Sequence, residues 1–142
     1  MFFWIAAIFM LTGLSVSDLK SRTIPVLPVL LFAAVMGVVH VLSGDLPALR
    51  ILAGMLPGLF LLAVSLASGT SIGTGDGIAV AACGAAIGFS SEFASLTAAL
   101  LLCCAYSAVL LIRRKAGRKD TLPFLPFLTA GHMLVFFTEV WI

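Results

Sequence analysis

Residues 1–25 read MFFWIAAIFMLTGLSVSDLKSRTIP, and this stretch decides the class of fold. Residues 1–17 are almost wholly apolar or small. Asp18, Lys20 and Arg22 then arrive close together, and Ile24-Pro25 opens a second apolar run. An uncharged apolar stretch of this kind reads as a membrane-embedded helix, with the charged cluster as its exit into the headgroup region. The stretch lacks the basic start of a cleavable leader, so it is expected to be retained as a span.

Working outward from it, further apolar segments fall at about 24–42, 47–67, 77–90, 95–112 and 123–141. The 142 residues are 62% hydrophobic and only 10% charged, with a mean hydropathy of +1.24. That composition cannot supply the polar shell of a soluble domain. The expected fold class is all-α: a polytopic membrane bundle of six transmembrane helices, forming a single domain over residues 1–142. Segments 1–17 and 77–90 are short against the roughly 20 residues that a hydrocarbon core asks of a helix. A helix end recessed into the bundle would accommodate the deficit. The net charge of +2 gives no reason to expect a nucleic-acid partner.

Charge placement sets the expected topology. The connections at 18–23, 68–76 and 113–122 carry Lys20, Arg22, Arg113, Arg114, Lys115, Arg118 and Lys119, leaving Arg50 alone near the others. Basic residues favour the cytoplasmic side, which puts these odd connections inside and both termini outside. The basic run from Arg113 to Lys119 reads as a topology determinant that also meets anionic lipid. The small-residue stretch AVAACGAAIG (79–88) reads as a close helix-packing surface.

Six acidic residues remain to be placed. Asp45, Glu92 and Glu139 fall near the expected outer face, where an interfacial position explains each, and Asp120 sits among basic residues. Asp18 ends the first span, and Asp76 opens the fourth after Gly73 and Gly75. The topology puts both on the cytoplasmic side. A carboxylate near the membrane is costly to ionise, so its presence points to function. Two carboxylates sharing one site cannot both ionise readily, and the singly protonated pair can act as acid and base on water and a peptide carbonyl. Asp76, at a helix N-terminus, is expected to ionise first. Two other readings stay open: helix-end caps meeting water and headgroups, and the paired-carboxylate proton site of a non-enzymatic small carrier or assembly subunit.

Cys83, Cys103 and Cys104 lie in apolar segments without CxxC spacing, so they read as buried small hydrophobes, with no zinc site or disulfide framework expected. His132 reads as a packed, hydrogen-bonded histidine and His40 as an interfacial one.

Three motifs carry a family resemblance. DLKSRTIP (18–25) resembles the first-aspartate motif of type IV prepilin and preflagellin peptidases. GTGD (73–76) matches the GxGD motif that names this group of membrane aspartyl proteases. PFLPFL (123–128), closed by Gly131, is similar to the family's Pro-Phe repeat in the last span. The three occur in family order and together span nearly the whole chain. The resemblance implies an aspartic endopeptidase that removes the basic leader from prepilin-like substrates at the cytoplasmic membrane boundary. It implies Asp18 and Asp76 as the catalytic pair, with Lys20, Arg22, Pro25, Gly73, Gly75, Pro123, Phe124, Pro126 and Phe127 as substrate-binding or site-shaping residues. Gly73 and Gly75 would permit unusual backbone conformations and leave room for a substrate strand, and Pro25 would start the second helix. No metal and no organic cofactor are implied. The implied partners are a membrane-inserted prepilin or pilin-like protein and the lipid bilayer, in a bacterial or archaeal cytoplasmic membrane. The chain resembles the minimal members, such as those serving Flp-type pili, for which N-methylation is not expected. It departs from the family at Val26, where Asn is frequent, and at Gly77-Ile78, where a hydrophobic residue and Lys are common.

Overall fold

The computed structural model describes residues 1–21, 24–44, 47–68, 73–113 and 122–141, and the regular structure among them is entirely helical. Six helices follow in order: α1 (Phe2–Ser21), α2 (Val26–Ser43), α3 (Ala48–Ser68), α4 (Thr74–Ile87), α5 (Phe89–Ile112) and α6 (Leu125–Trp141). Four of them, α1, α2, α3 and α5, are long and apolar enough to cross a membrane. The other two are apolar but shorter, at 14 residues for α4 and 17 for α6.

Two boundaries differ from expectation. The first helix is not short: it runs through Asp18 to Ser21, so Asp18 lies in its last turn and does not end it. The expected connection at 91–94 is helical. Ser90 and Ser91 look like turn residues, but they open α5, and Glu92 lies in its first turn, where the helix dipole favours an acid. The whole link between α4 and α5 is Gly88, at φ 87° and ψ 169°, a conformation essentially reserved for glycine. Its N–H donates to the Gly84 carbonyl.

Helix α4 is the centre of the bundle. Gly77 and every residue from Ala79 to Ala86 are buried, and α4 packs against α1, α2, α3 and α5. A helix enclosed on all sides shows no amphipathic stripe, and it need not match the bilayer because neighbouring helices surround it. Its closest partner is α3. A Cβ placed on Gly54 would run into the Gly84 carbonyl, one on Gly84 into the Gly54 carbonyl, and one on Gly58 into the backbone of Ala81. Gly54 and Gly58 are four apart on one face of α3, the small-xxx-small spacing that lets two backbones touch in lipid. The same logic joins α6 to α5, where Gly131 lies against Ser95 and Ala99.

Side-chain contacts tie the helix ends into two layers. At one end Ile24 packs on Gly75, and the Ser15 and Thr129 hydroxyls are 2.7 Å apart. Thr129 donates to the Leu125 carbonyl, so Ser15 donates to Thr129. At the other end Phe3 stacks on His40 with centroids 3.7 Å apart, the His40 Nε2 lies 2.8 Å from the Ala86 carbonyl, and Ser91 donates to Glu139. His40 is therefore buried in the bundle, not interfacial as expected. Leucines and phenylalanines such as Phe9, Leu42 and Phe60 cover the outside.

The contact between α3 and α4 is backbone on backbone, so it has no flexible side chain to give way. Gly58→Val is expected to cost upward of about 3 kcal/mol, beyond ordinary overpacking, and to abolish a monodisperse species in detergent. Gly37→Ala, at a helical glycine with open space around its Cα, is expected to be neutral or to stabilise by up to about 1 kcal/mol. Thermal unfolding of the two variants in the same detergent checks both.

Candidate active site

Asp18 reaches the bundle interior through helical spacing. Trp4, Ala7, Leu11, Leu14 and Asp18 recur every three or four residues along α1, and all are buried. The carboxylate thus ends an inward-facing apolar stripe. Asp18 is only 8% exposed, and its Oδ2 has no hydrogen-bond partner among the described residues.

Asp76 arrives from α4. The chain enters the helix through Gly73, and the Asp76 N–H donates to the Gly73 carbonyl at 3.1 Å. Its carboxylate folds back over the helix start, where a Cβ on Gly73 would lie 3.0 Å from Oδ2. Asp76 is half-buried and sits ahead of the apolar run 77–90. Its carboxyl is pushed up from 3.8 to about 6, first by burial and second by the charge of Asp18. The two acids, carried by helices far apart in sequence, therefore feel each other's charge. Loss of water at the site is the larger of the two causes.

The residues expected to shape the site divide into groups. Pro25 is the residue immediately before α2, at φ −69°, as expected of a helix-starting proline. Ile24 beside it fills the space next to Gly75, where a Cβ would come within 2.7 Å of the isoleucine side chain. The room at Gly75 is thus taken by this chain's own first loop, which locks the two aspartate-bearing segments together. Gly73 has an ordinary φ of −64°. Neither glycine is among the positive-φ positions, which are Gly44 and Gly88 among the described residues. Both serve close approach, not unusual backbone angles. Lys20 is exposed in the last turn of α1. Arg22 lies outside the described residues.

The Pro-Phe repeat starts α6. The Phe124 carbonyl accepts from the N–H groups of Phe127 and Leu128, and Phe124 packs against the apolar core. Pro123 is half-buried just ahead of the helix, and Pro126 lies in its first turn. Phe127 packs on Tyr106 of α5 at 5.4 Å between centroids, a helix-packing contact.

Sequence reasoning missed a second polar cluster. Glu92, expected at the outer interface, is fully buried, and its Oε2 lies 3.0 Å from Nε2 of the fully buried His132. The hydrogen-bonded packing expected for His132 is what the structure has. The usable signal was an acid and an imidazole isolated in otherwise apolar segments.

The ionisation of Asp76 gives a direct test. Its carboxyl stretch, followed by infrared titration of the purified protein, is expected to report a midpoint near 6. In Asp18→Asn the midpoint is expected to fall yet stay above 3.8, because burial, the larger cause, remains. An unmoved midpoint would mean the two carboxylates do not interact.

Comparison with known proteins adds one match: residues 4–111 fit the family model of the type IV leader peptidase family. No curated relative and no solved structure matches the chain.

Proposed function

We propose that this chain, which belongs to the type IV leader peptidase family, is an aspartic endopeptidase whose catalytic pair is Asp18 and Asp76. Family membership supports a membrane protease of the leader-peptidase kind. The observation that carries the finer reading is the placement of the two acids, one buried and one half-buried, at a single end of the bundle, where Ile24, six residues after Asp18, packs on Gly75 next to Asp76.

The chemistry follows from a pair holding one proton. The ionised carboxylate takes a proton from a water molecule as its oxygen attacks the scissile carbonyl carbon. The protonated carboxyl gives its proton to the carbonyl oxygen, forming a tetrahedral diol. Collapse breaks the C–N bond, passes a proton to the departing amine, and leaves a carboxyl end on the leader. The pair titrates as a unit, so the working state is the singly protonated one.

The bundle in this reading crosses the membrane six times as a single domain, with α4 and α6 counted as spans. The short α4 recesses the Asp76 end among its neighbours. In this reading the aspartate side faces the cytoplasm and both termini lie outside, which the basic residues at 18–23 and 113–122 support by the positive-inside rule. A site at that boundary reaches only the junction between a cytoplasmic leader and a membrane-inserted helix. The substrate class is therefore a prepilin or pilin-like protein with a short basic leader.

Co-expression with a tagged prepilin in cells lacking their own peptidase tests this reading. Asp18→Asn and Asp76→Asn are each expected to lower cleavage by at least about 10²-fold at unchanged membrane levels. Full cleavage by either variant would remove that residue from the mechanism. Proton-coupled transport without proteolysis would favour a carrier. With the wild-type protein in detergent, cleavage is expected to fall as pH rises through about 6, because the pair then loses the proton it must donate.

A further inference from the structure

Cys83 of α4, Glu92 of α5 and His132 of α6 are all fully buried, and one potential ligand atom from each lies within 4.8 Å of the others. We propose that these three side chains form a binding site for a thiophilic divalent cation, zinc by preference, that pins α4, α5 and α6 together. The inference is independent of the peptidase reading. Cys83 lies seven residues beyond Asp76, about 10 Å along the helix, so the ion would not touch the aspartate pair.

Hydrogen bonding around His132 sets up the argument. Its Nδ1 lies 2.9 Å from the Leu128 carbonyl, which can only accept, so Nδ1 carries the proton. In the neutral ring Nε2 then presents a lone pair, and it points at the Glu92 carboxylate oxygen 3.0 Å away. Two acceptors face each other, which calls for a cation between them: a proton or a metal ion. A backbone carbonyl holding the far nitrogen is the usual outer support of a metal-bound histidine.

Three observations favour the metal. The sulfur of Cys83 stands beside the pair, and a third, soft donor serves no purpose for a shared proton. The second carboxylate oxygen of Glu92 has no hydrogen-bond partner among the described residues. Nor does the hydroxyl of fully buried Ser95, one turn further along α5. Charge also balances, since a thiolate and a carboxylate neutralise a doubly charged ion in surroundings that penalise any net charge. With metal–ligand bonds of about 2.0–2.3 Å, tetrahedral ligands lie roughly 3.3–3.7 Å apart, so the 3.0 Å between His132 Nε2 and Glu92 Oε2 would open by a few tenths of an ångström, and the three ligand atoms already lie within 4.8 Å of one another. Cys, His and Glu are a borderline donor set suited to zinc. The absence of CxxC spacing hid the site, because each ligand comes from a different helix.

Cobalt provides the test. The full chain, purified in detergent with any polyhistidine tag removed, is titrated with Co²⁺ and read for thiolate-to-cobalt charge-transfer absorption. The expected result is one cobalt per chain, a charge-transfer band, and its displacement by zinc. Cys83→Ser is expected to lose the band, and Glu92→Gln and His132→Gln to weaken cobalt binding at least tenfold. Cys83→Ser changes a single atom, and gel filtration shows whether each variant keeps its fold. No band in the wild-type protein would overturn the site and leave a shared proton between Glu92 and His132. A band that survives in Cys83→Ser would also overturn it, by assigning the cobalt to another thiol.

Discussion

Everything in this bundle hangs on the contact of α3 with α4. Lipid offers apolar surfaces no reason to leave it, so helices associate only where they pack better with each other than with acyl chains. Gly54, Gly58, Ala81 and Gly84 meet that condition by bringing two backbones together with no side chain between them. With α3 this close, α1, α2 and α5 can close round the remaining sides of α4. Helix α4 is then held on every side, and Asp76 in its first turn is held with it.

The central position of α4 also explains where polarity is allowed. Between its two ends the helix is alanine, valine, cysteine and glycine, almost all buried. Near one end is the aspartate pair, and towards the other lie Glu92 and His132. Glu92 and His132 come from different helices and hydrogen-bond each other, which reduces the penalty of burying them. The Ser15–Thr129 hydroxyl contact adds a third polar join, between α1 and α6, one turn from Asp18. These joins are directional where the apolar contacts are not, so they fix the rotation of each helix about its axis.

Much of this was legible in the amino-acid order. Apolar runs announce membrane helices because the bilayer demands them; six helices appear among the described residues, and four of them are long and apolar enough to cross a membrane. Asp18 and Asp76 stood out because carboxylates flanking apolar runs are rare. Tertiary contacts were not legible. Residues 91–94 read as a connection, since nothing local reveals that His132, forty residues on, supplies the partner that lets Glu92 enter the core. Glycine was ambiguous for a similar reason. At Gly73 and Gly75 a demand for backbone freedom and a demand for space leave the same letter, and only the neighbours Asp76 and Ile24 distinguish them. His40 looked like a surface residue until Phe3 and Ala86 were found covering it.

The single-residue link at Gly88 bears on how the protein can be handled. With no slack between α4 and α5, lengthening the link would disturb Gly88, which itself lies against Gly54 of α3. An epitope or fluorescent reporter placed there would read out misassembly instead of sidedness. The turn after α2 at Gly44, where no neighbouring atom would obstruct a side chain, is the place on the same face to put one.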